Sequence, residues 1–305
     1  MLGHKGPLFH LEKRIPFFIN RLKQQKLEKQ VICLCQEEKG KIEKLYPNLN
    51  TRHRYFTKYR KAVNELYSSL GDRHFPFQHL KTALDILKLD PKESERRQFS
   101  IDKSLDVKTN NVALFDPEEF IRVCKEFLNE KEDLYVLTLG IMGLTGRRSI
   151  EILKTGQFQK VTDHILLFSG QAKTKNSLHA RDNYEIPVLA PAKEIIRALS
   201  YLRRHLDLSQ LPNDVIDKIH GRRLLHRISK LKNCIFPNQK VALNCRSLRS
   251  VYVASAYHIL GMSTKVSYNA YAAKILGHSQ FDKDTANSYT YFAIRPKNHS
   301  QGAHL

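Results

Sequence analysis

Apolar residues recur at helical spacing along most of the chain, and the places where that spacing fails mark its joints. The first stretch predicts helices over about Ile15–Tyr46, with room for one break, then Arg52–Leu70 and His79–Leu87. Leu89–Asn111 is polar, charged and weakly periodic, and reads as a linker. The pattern restarts sharply at Asp116, which suits an N-cap, with Pro117 at the first helical position and Glu119 placed to close a capping box. Phe115 and Phe120 have the spacing of a hydrophobic staple. Phe120, Val123, Cys124, Phe127 and Leu128 then fall on one face. Leu134–Leu144 is apolar all round and predicts a buried helix, which Gly146 interrupts before Arg148–Lys154 resumes.

From Phe158 to Val188 the period changes. Ile165–Phe168 and Tyr184–Val188 read as strands joined by a polar turn, Lys173–Asn183. Helices return over about Ala192–Arg204, Asp214–Lys232, Ser247–Leu260 and Ser267–Leu276, the last ending at Gly277. The fold class is mainly α (α+β): a helical N-terminal domain with its linker over 1–111, and a second domain with a small antiparallel sheet over 112–305.

Charge adds the first functional constraint. Lys and Arg number 51 against 30 Asp and Glu, a net charge of +21. Up to Phe115 the count is 23 basic to 13 acidic, so both halves carry the surplus. Such a field favours polyanions, nucleic acid above all; the plainer alternative is a basic protein that merely stays soluble. Five cysteines without a CxxC pair signal neither a disulfide framework nor a zinc site. A signal-peptide pattern and an apolar run of about 20 residues are both lacking, so a cytoplasmic protein without a membrane segment is expected.

The chemistry-bearing residues are mostly basic. No Gly-rich phosphate loop, HExxH or acidic metal cluster occurs, so neither metal nor cofactor is expected. Thr145-Gly-Arg-Arg148 with Glu151 follows the buried helix, where an arginine fork can clamp a phosphate at the core's edge; a solvated helix start reads equally well. Arg246 and Arg249 open an apolar helix one turn apart, an arrangement that suits a held anion or an ordinary surface pair. Leu276-Gly-His278 precedes Asp284-Thr-Ala-Asn-Ser-Tyr289-Thr-Tyr291, and a lone histidine after Gly277 also fits a helix cap. Outside these strings, Arg52, Arg54, Lys58, Arg60 and Lys61 make the strongest candidate DNA grip. Arg54, Lys58 and Lys61 share a helical face that Tyr55 and Tyr59 could bury or brace; a solvated face over core aromatics reads equally well. Arg222 and Arg223 lie on a second basic stretch.

Thr-Gly-x-Arg-x-x-Glu, a basic-x-x-Arg segment and Leu-Gly-His followed by Tyr resemble, in order and separation, the three signature boxes of tyrosine recombinases. The double arginine and the Asp284-Thr-Ala-x-x-Tyr289 string are more specifically similar to telomere resolvases, as is the histidine–tyrosine separation of 11. The resemblance covers about residues 116–295. It implies that Arg148, Arg249 and Arg246 hold the scissile phosphate, that His278 assists, and that Tyr289 is the nucleophile. It also implies a general-acid lysine in the turn after a strand: Lys173, with Lys175 as the competitor. Arg147 and Lys175 are expected to touch DNA beside this site. The expected enzyme cuts and rejoins double-stranded DNA through a 3′-phosphotyrosine, acting as a homodimer on an inverted repeat to leave hairpin ends, in a bacterial or phage setting near the nucleoid. Telomere resolvases usually continue into a further DNA-binding domain, whereas this sequence runs 16 residues past Tyr289. Site-specific recombination or integration therefore stays open as an alternative, as does a catalytically silent DNA-binding protein.

Overall fold

The computed structural model describes residues 8–172, 183–236, 239, 243–261, 265–278 and 292–295, with side chains from residue 14 onward except 108 and 109. Lys173, Lys175, Tyr289 and Tyr291 lie outside the described residues. The chain divides into two compact units, Met1–Asp106 and Val107–Leu305, each with its own apolar core.

The first unit is built from α1 (Leu8–Lys23), α2 (Glu28–Leu45), α3 (Leu49–Leu70), α4 (Phe77–Ile86) and most of α5 (Pro91–Asn110). The break expected in the first helical stretch falls between α1 and α2, where Gln30 Oε1 accepts from the backbone N–H of Lys26 and Leu27, both at 3.3 Å. Phe18, Leu22, Val31, Ile42, Phe56, Val63 and Phe75 fill the core. One buried carboxylate ties three helices: Glu38 receives Arg14 through two hydrogen bonds of 3.0 Å and the Tyr59 hydroxyl at 2.6 Å. Burying an ion is tolerable only with partners of this kind.

The expected linker is a helix. α5 starts where Asp90 Oδ1 accepts from the Glu93 N–H at 2.7 Å, with Pro91 at the first position. Hydrophobic period missed it because α5 presents no apolar face, and Phe99 stands 70% exposed.

In the second unit, β1 (Ala113–Phe115) leads into α6 (Pro117–Leu128). Asp116 caps α6 through the N–H groups of Glu118 (2.9 Å) and Glu119 (3.4 Å). Phe115 and Phe120 meet edge-on at 6.2 Å, completing the staple. The capping box does not form, because Glu119 turns to Arg122 with two bonds of 2.8 and 2.7 Å. α7 (Leu134–Thr145) is buried from Val136 to Thr145 and packs against α6, α8 (Ala192–His205), α9 (Asn213–Ile235) and α10 (Leu248–Ala256).

The sheet has one strand more than the sequence pattern predicts. β2 (Gln157–Lys160), β3 (Ile165–Ser169) and β4 (Asn183–Pro187) run antiparallel in that order, with Phe158 opposite Phe168 and Phe168 opposite Tyr184. β1 pairs in parallel with β5 (Phe292–Ile294), Ala113 opposite Phe292. Gln239 extends the β1 side, accepting from the Leu114 N–H at 3.2 Å and donating to its carbonyl at 2.7 Å. A π-helical turn, Tyr257–Gly261, extends α10, and α11 (Tyr268–Leu276) follows. Among the described residues no helix is long and apolar enough to cross a membrane.

Candidate active site

α7 ends because Gly146 adopts a left-handed conformation, φ 65°. A Cβ there would lie 2.2 Å from the Tyr252 ring, so the turn that presents both arginines needs glycine. The two arginines then part company. Arg147 goes inward and is 0% exposed. Its Nε donates to the Thr145 carbonyl at 3.2 Å, Nη1 to the Tyr184 hydroxyl, and Nη2 to the Ile275 carbonyl at 2.6 Å. The guanidinium also lies 4.9 Å from the Phe168 ring centroid. The expectation that Arg147 faces DNA is therefore overturned: among the described residues its guanidinium donates only to internal groups, and a wholly buried side chain cannot reach a duplex.

Arg148 turns the other way and stays partly exposed. Its backbone N–H and Nη1 donate to the two oxygens of Glu151, at 2.8 and 2.7 Å, and Nη1 also donates to the Ala172 carbonyl at 3.1 Å. The same Glu151 accepts the Ala172 N–H at 3.0 Å. Both polar groups of Ala172, the residue before Lys173, are thus held by the arginine–glutamate pair.

Glu151 is wholly buried. Burial alone would raise its pKa, but the Arg147, Arg249 and Arg148 guanidiniums and the Arg148 N–H hold it below the ordinary carboxylate value. It opens a π-helical turn, Glu151–Thr155, a local geometry frequent at functional sites. From α8, Arg203 donates to the carbonyls of Glu151 (2.8 Å) and Ile152 (2.9 Å), fixing that turn.

Arg249 sits in α10 and is 4% exposed, close enough to lower the Glu151 pKa. Arg246 is exposed and lies before the helix. There Asn244 Oδ1 accepts the N–H groups of Arg246 and Ser247, each at 2.9 Å. The helix expected from Ser247 starts at Leu248, so of the two arginines that open it Arg249 is buried within α10 and Arg246 stands exposed on the preceding turn.

The third string closes α11. Gly277 is left-handed, φ 68°, and a Cβ on it would meet the Tyr184 hydroxyl at 2.3 Å and Gln171 Oε1 at 2.4 Å. The His278 N–H donates to the Ala273 carbonyl at 2.9 Å, which completes the helix cap, and Gln171 Nε2 donates to the Gly277 carbonyl at 3.2 Å. His278 is half-buried.

Of the proposed DNA grip, Arg52 is engaged internally. It donates to the carbonyls of Tyr46 (2.5 Å) and Glu43 (3.2 Å) and pairs with Glu93, so its expected contact with DNA is replaced by a tie between α2, α3 and α5. Arg54 and Lys61 are exposed, Lys58 and Arg60 half-buried, above the buried Tyr55 and Tyr59. On α9, Arg222 is exposed, and Arg223 donates to the Tyr135 hydroxyl at 2.8 Å. Sequence reasoning used Glu151 only as a motif letter and missed Arg203, Gln171 and Tyr184. A buried glutamate three residues after an arginine was the available signal; the other three depend on tertiary contacts.

The family described as the telomere resolvase ResT/TelK catalytic domain matches residues 111–292, more than half of the chain, and the protein belongs to that family. Among relatives, the protelomerase of Yersinia phage PY54 is 25% identical over 229 residues, covering 68% of this chain and 36% of that protein. Telomere resolvase ResT of Borreliella burgdorferi is 22% identical over 307 residues, covering 96% and 66%. The chain thus spans about a third of the first relative's length and just under two thirds of the second's. Among solved structures, a protelomerase tela variant covalently complexed with substrate DNA superposes with a TM-score of 0.78 at 24% identity, covering 96% of this chain and 91% of that one. Protelomerase TelK complexed with substrate DNA gives 0.55 at 18% identity, covering 99% and 63%. At these identities the structural likeness establishes the fold.

Proposed function

We propose that this protein is a telomere resolvase that cuts double-stranded DNA with Tyr289 and reseals each end as a hairpin. The observation that carries the reading is the Arg148–Glu151–Ala172 junction, which anchors a partly exposed guanidinium beside the residue before Lys173. A tyrosine hydroxyl, with a pKa near 10, attacks a phosphodiester poorly at neutral pH, and attack builds charge on the non-bridging oxygens. Arg148, Arg249 and Arg246 supply the compensating cations. The Tyr289 hydroxyl gives up its proton, to His278 or to water, as its oxygen bonds to phosphorus and the bond to the 5′-oxygen breaks; Lys173 protonates that leaving oxygen, and His278, where water takes the tyrosine proton, holds the phosphate.

The resulting 3′-phosphotyrosine conserves the bond for attack by a 5′-hydroxyl, which expels the tyrosine. Two copies on an inverted repeat would cut the two strands symmetrically. Each end then closes when the 5′-hydroxyl comes from the opposite strand of the same duplex. Arg54, Lys58, Arg60, Lys61, Arg222, Arg223 and Lys175 would grip the flanking backbone. A bacterial or phage-encoded protein working at the nucleoid fits the sources of the relatives.

The test is incubation with inverted-repeat plasmids followed by denaturing gels. Hairpin ends snap back and run as closed strands. Strands joined to a second site would mean recombination instead, and binding with no covalent adduct would mean a silent DNA-binding protein.

A further inference from the structure

The first arginine of the Gly146-Arg147-Arg148 string has no place in the mechanism above, yet it is the largest wholly buried side chain among the described residues. Placing a guanidinium in a core is costly, and an apolar side chain of similar volume would usually fill the space at less expense. What Arg147 gains is specific. Its three donors end on three different elements: the last turn of α7, strand β4 and the last turn of α11. The Ile275 carbonyl belongs to the final turn of α11, where helical donors run out. It lies three residues before His278. The Tyr184 hydroxyl that receives Nη1 is also the atom against which Gly277 is packed. Arg147 and Tyr184 therefore fix where α11 stops and where His278 leaves it, while the adjacent residue, Arg148, is held to Glu151 and Ala172.

We propose that Arg147 is a positioning residue for His278, setting the distance between the first and third catalytic boxes through one peptide link. The inference rests on the telomere-resolvase reading for its effect on DNA chemistry. The geometric claim itself concerns only this chain. Lysine cannot reproduce the tie, because one ammonium cannot reach three divergent acceptors in the fixed plane that a guanidinium offers.

The experiment is a double-mutant cycle on the full chain, measuring single-turnover adduct formation on inverted-repeat DNA together with DNA affinity. Arg147→Lys should slow adduct formation about 10²-fold at nearly unchanged affinity. Adding His278→Ala should cost little more, since the imidazole is already displaced, whereas adding Arg246→Ala should cost its full single-variant factor. A purely structural role predicts that the Arg147→Lys and His278→Ala effects multiply, and that result, or a wild-type rate in Arg147→Lys, would overturn the proposal. If Arg147→Lys does not fold, Tyr184→Phe removes only the hydroxyl at Nη1 and should give the same coupling at smaller amplitude. If the wild-type protein forms no adduct, the DNA reading fails, and the positioning claim is then judged by NMR titration of the DNA-free protein. Arg147→Lys (or Tyr184→Phe) should move the His278 titration and leave that of His258 in place; an unmoved His278 refutes it.

Discussion

Arg148 donates to the Ala172 carbonyl at 3.1 Å while Glu151 takes the Ala172 N–H at 3.0 Å, so the arginine's anchor and the anchor of the residue before Lys173 are one object. Disturbing the carboxylate should thus displace two proposed catalytic groups at once.

Glu151→Gln tests this. The amide keeps the shape but removes the charge that three guanidiniums share, and it brings a donor where Arg148 and Ala172 already donate. Breaking such a buried arrangement should lower stability by about 3 kcal/mol. Adduct formation should fall about 10²-fold through misplacement, measured under conditions where the variant is folded. Unchanged cleavage by a folded Glu151→Gln would detach the junction from the chemistry.

The same carboxylate should make the second unit acid-sensitive. Its folded pKa lies below the ordinary 4.5, so its contribution is fully present above that value and is lost as pH falls from there through the depressed folded value. Urea midpoints of the wild type should therefore drop between pH 5 and lower values more steeply than those of Glu151→Gln, after subtraction of the shared carboxylates. Parallel curves would mean that Glu151 is not held below its ordinary value.

Gly277→Ala should be more damaging than an added methyl suggests. The left-handed conformation costs about 1–2 kcal/mol for a residue with a Cβ. The methyl would also meet the Tyr184 hydroxyl and Gln171, adding about 1–3 kcal/mol of overpacking. Thermal melting reads the sum, and the expected loss is larger than for alanine at Gly221, which meets nothing within 4 Å.

How far the residues alone foretold this arrangement depends on what each signal is made of. α6 was legible because Asp116, Pro117 and the Phe115–Phe120 pair act locally, and α7 because it is apolar all round. α5 was not, since its start rests on Asp90 and Pro91 and its exposed length carries no apolar period. The β1–β5 pair joins short segments from opposite ends of the second unit, a pairing no local pattern encodes. Two adjacent arginines after a glycine look alike in sequence. Only packing against Phe168, Tyr184 and Ile275 distinguishes the buried Arg147 from the partly exposed Arg148, which is why the first was assigned to DNA. Tyr289 and Lys173 lie outside the described residues and are assigned by resemblance, with Ala172, the residue before Lys173, held by Arg148 and Glu151.

Tyr289→Phe should abolish the covalent adduct while leaving DNA affinity nearly intact, because only the attacking oxygen is removed. Tyr291 lies two residues on and serves as the control. An adduct that survives in Tyr289→Phe and vanishes in Tyr291→Phe, read by gel shift after denaturation, would transfer the nucleophile.

The general acid can be separated from the charge-stabilising groups by changing the leaving atom. A 5′-oxygen leaves slowly unless it is protonated, whereas a 5′-bridging sulfur leaves as a thiolate without help. Lys173→Ala should cleave the ordinary phosphodiester very slowly and recover most of its rate on the sulfur substrate. Arg148→Ala should show no such recovery, since it answers charge on the non-bridging oxygens, which the sulfur does not touch. Glu151→Gln offers an internal check: it loosens both Arg148 and the residue before Lys173, so sulfur should rescue it only in part. Rescue of Lys175→Ala but not Lys173→Ala would shift the acid by two residues along the chain. Rescue of neither would move it to Arg246 or to water, and would leave the Ala172 anchor serving the arginine alone.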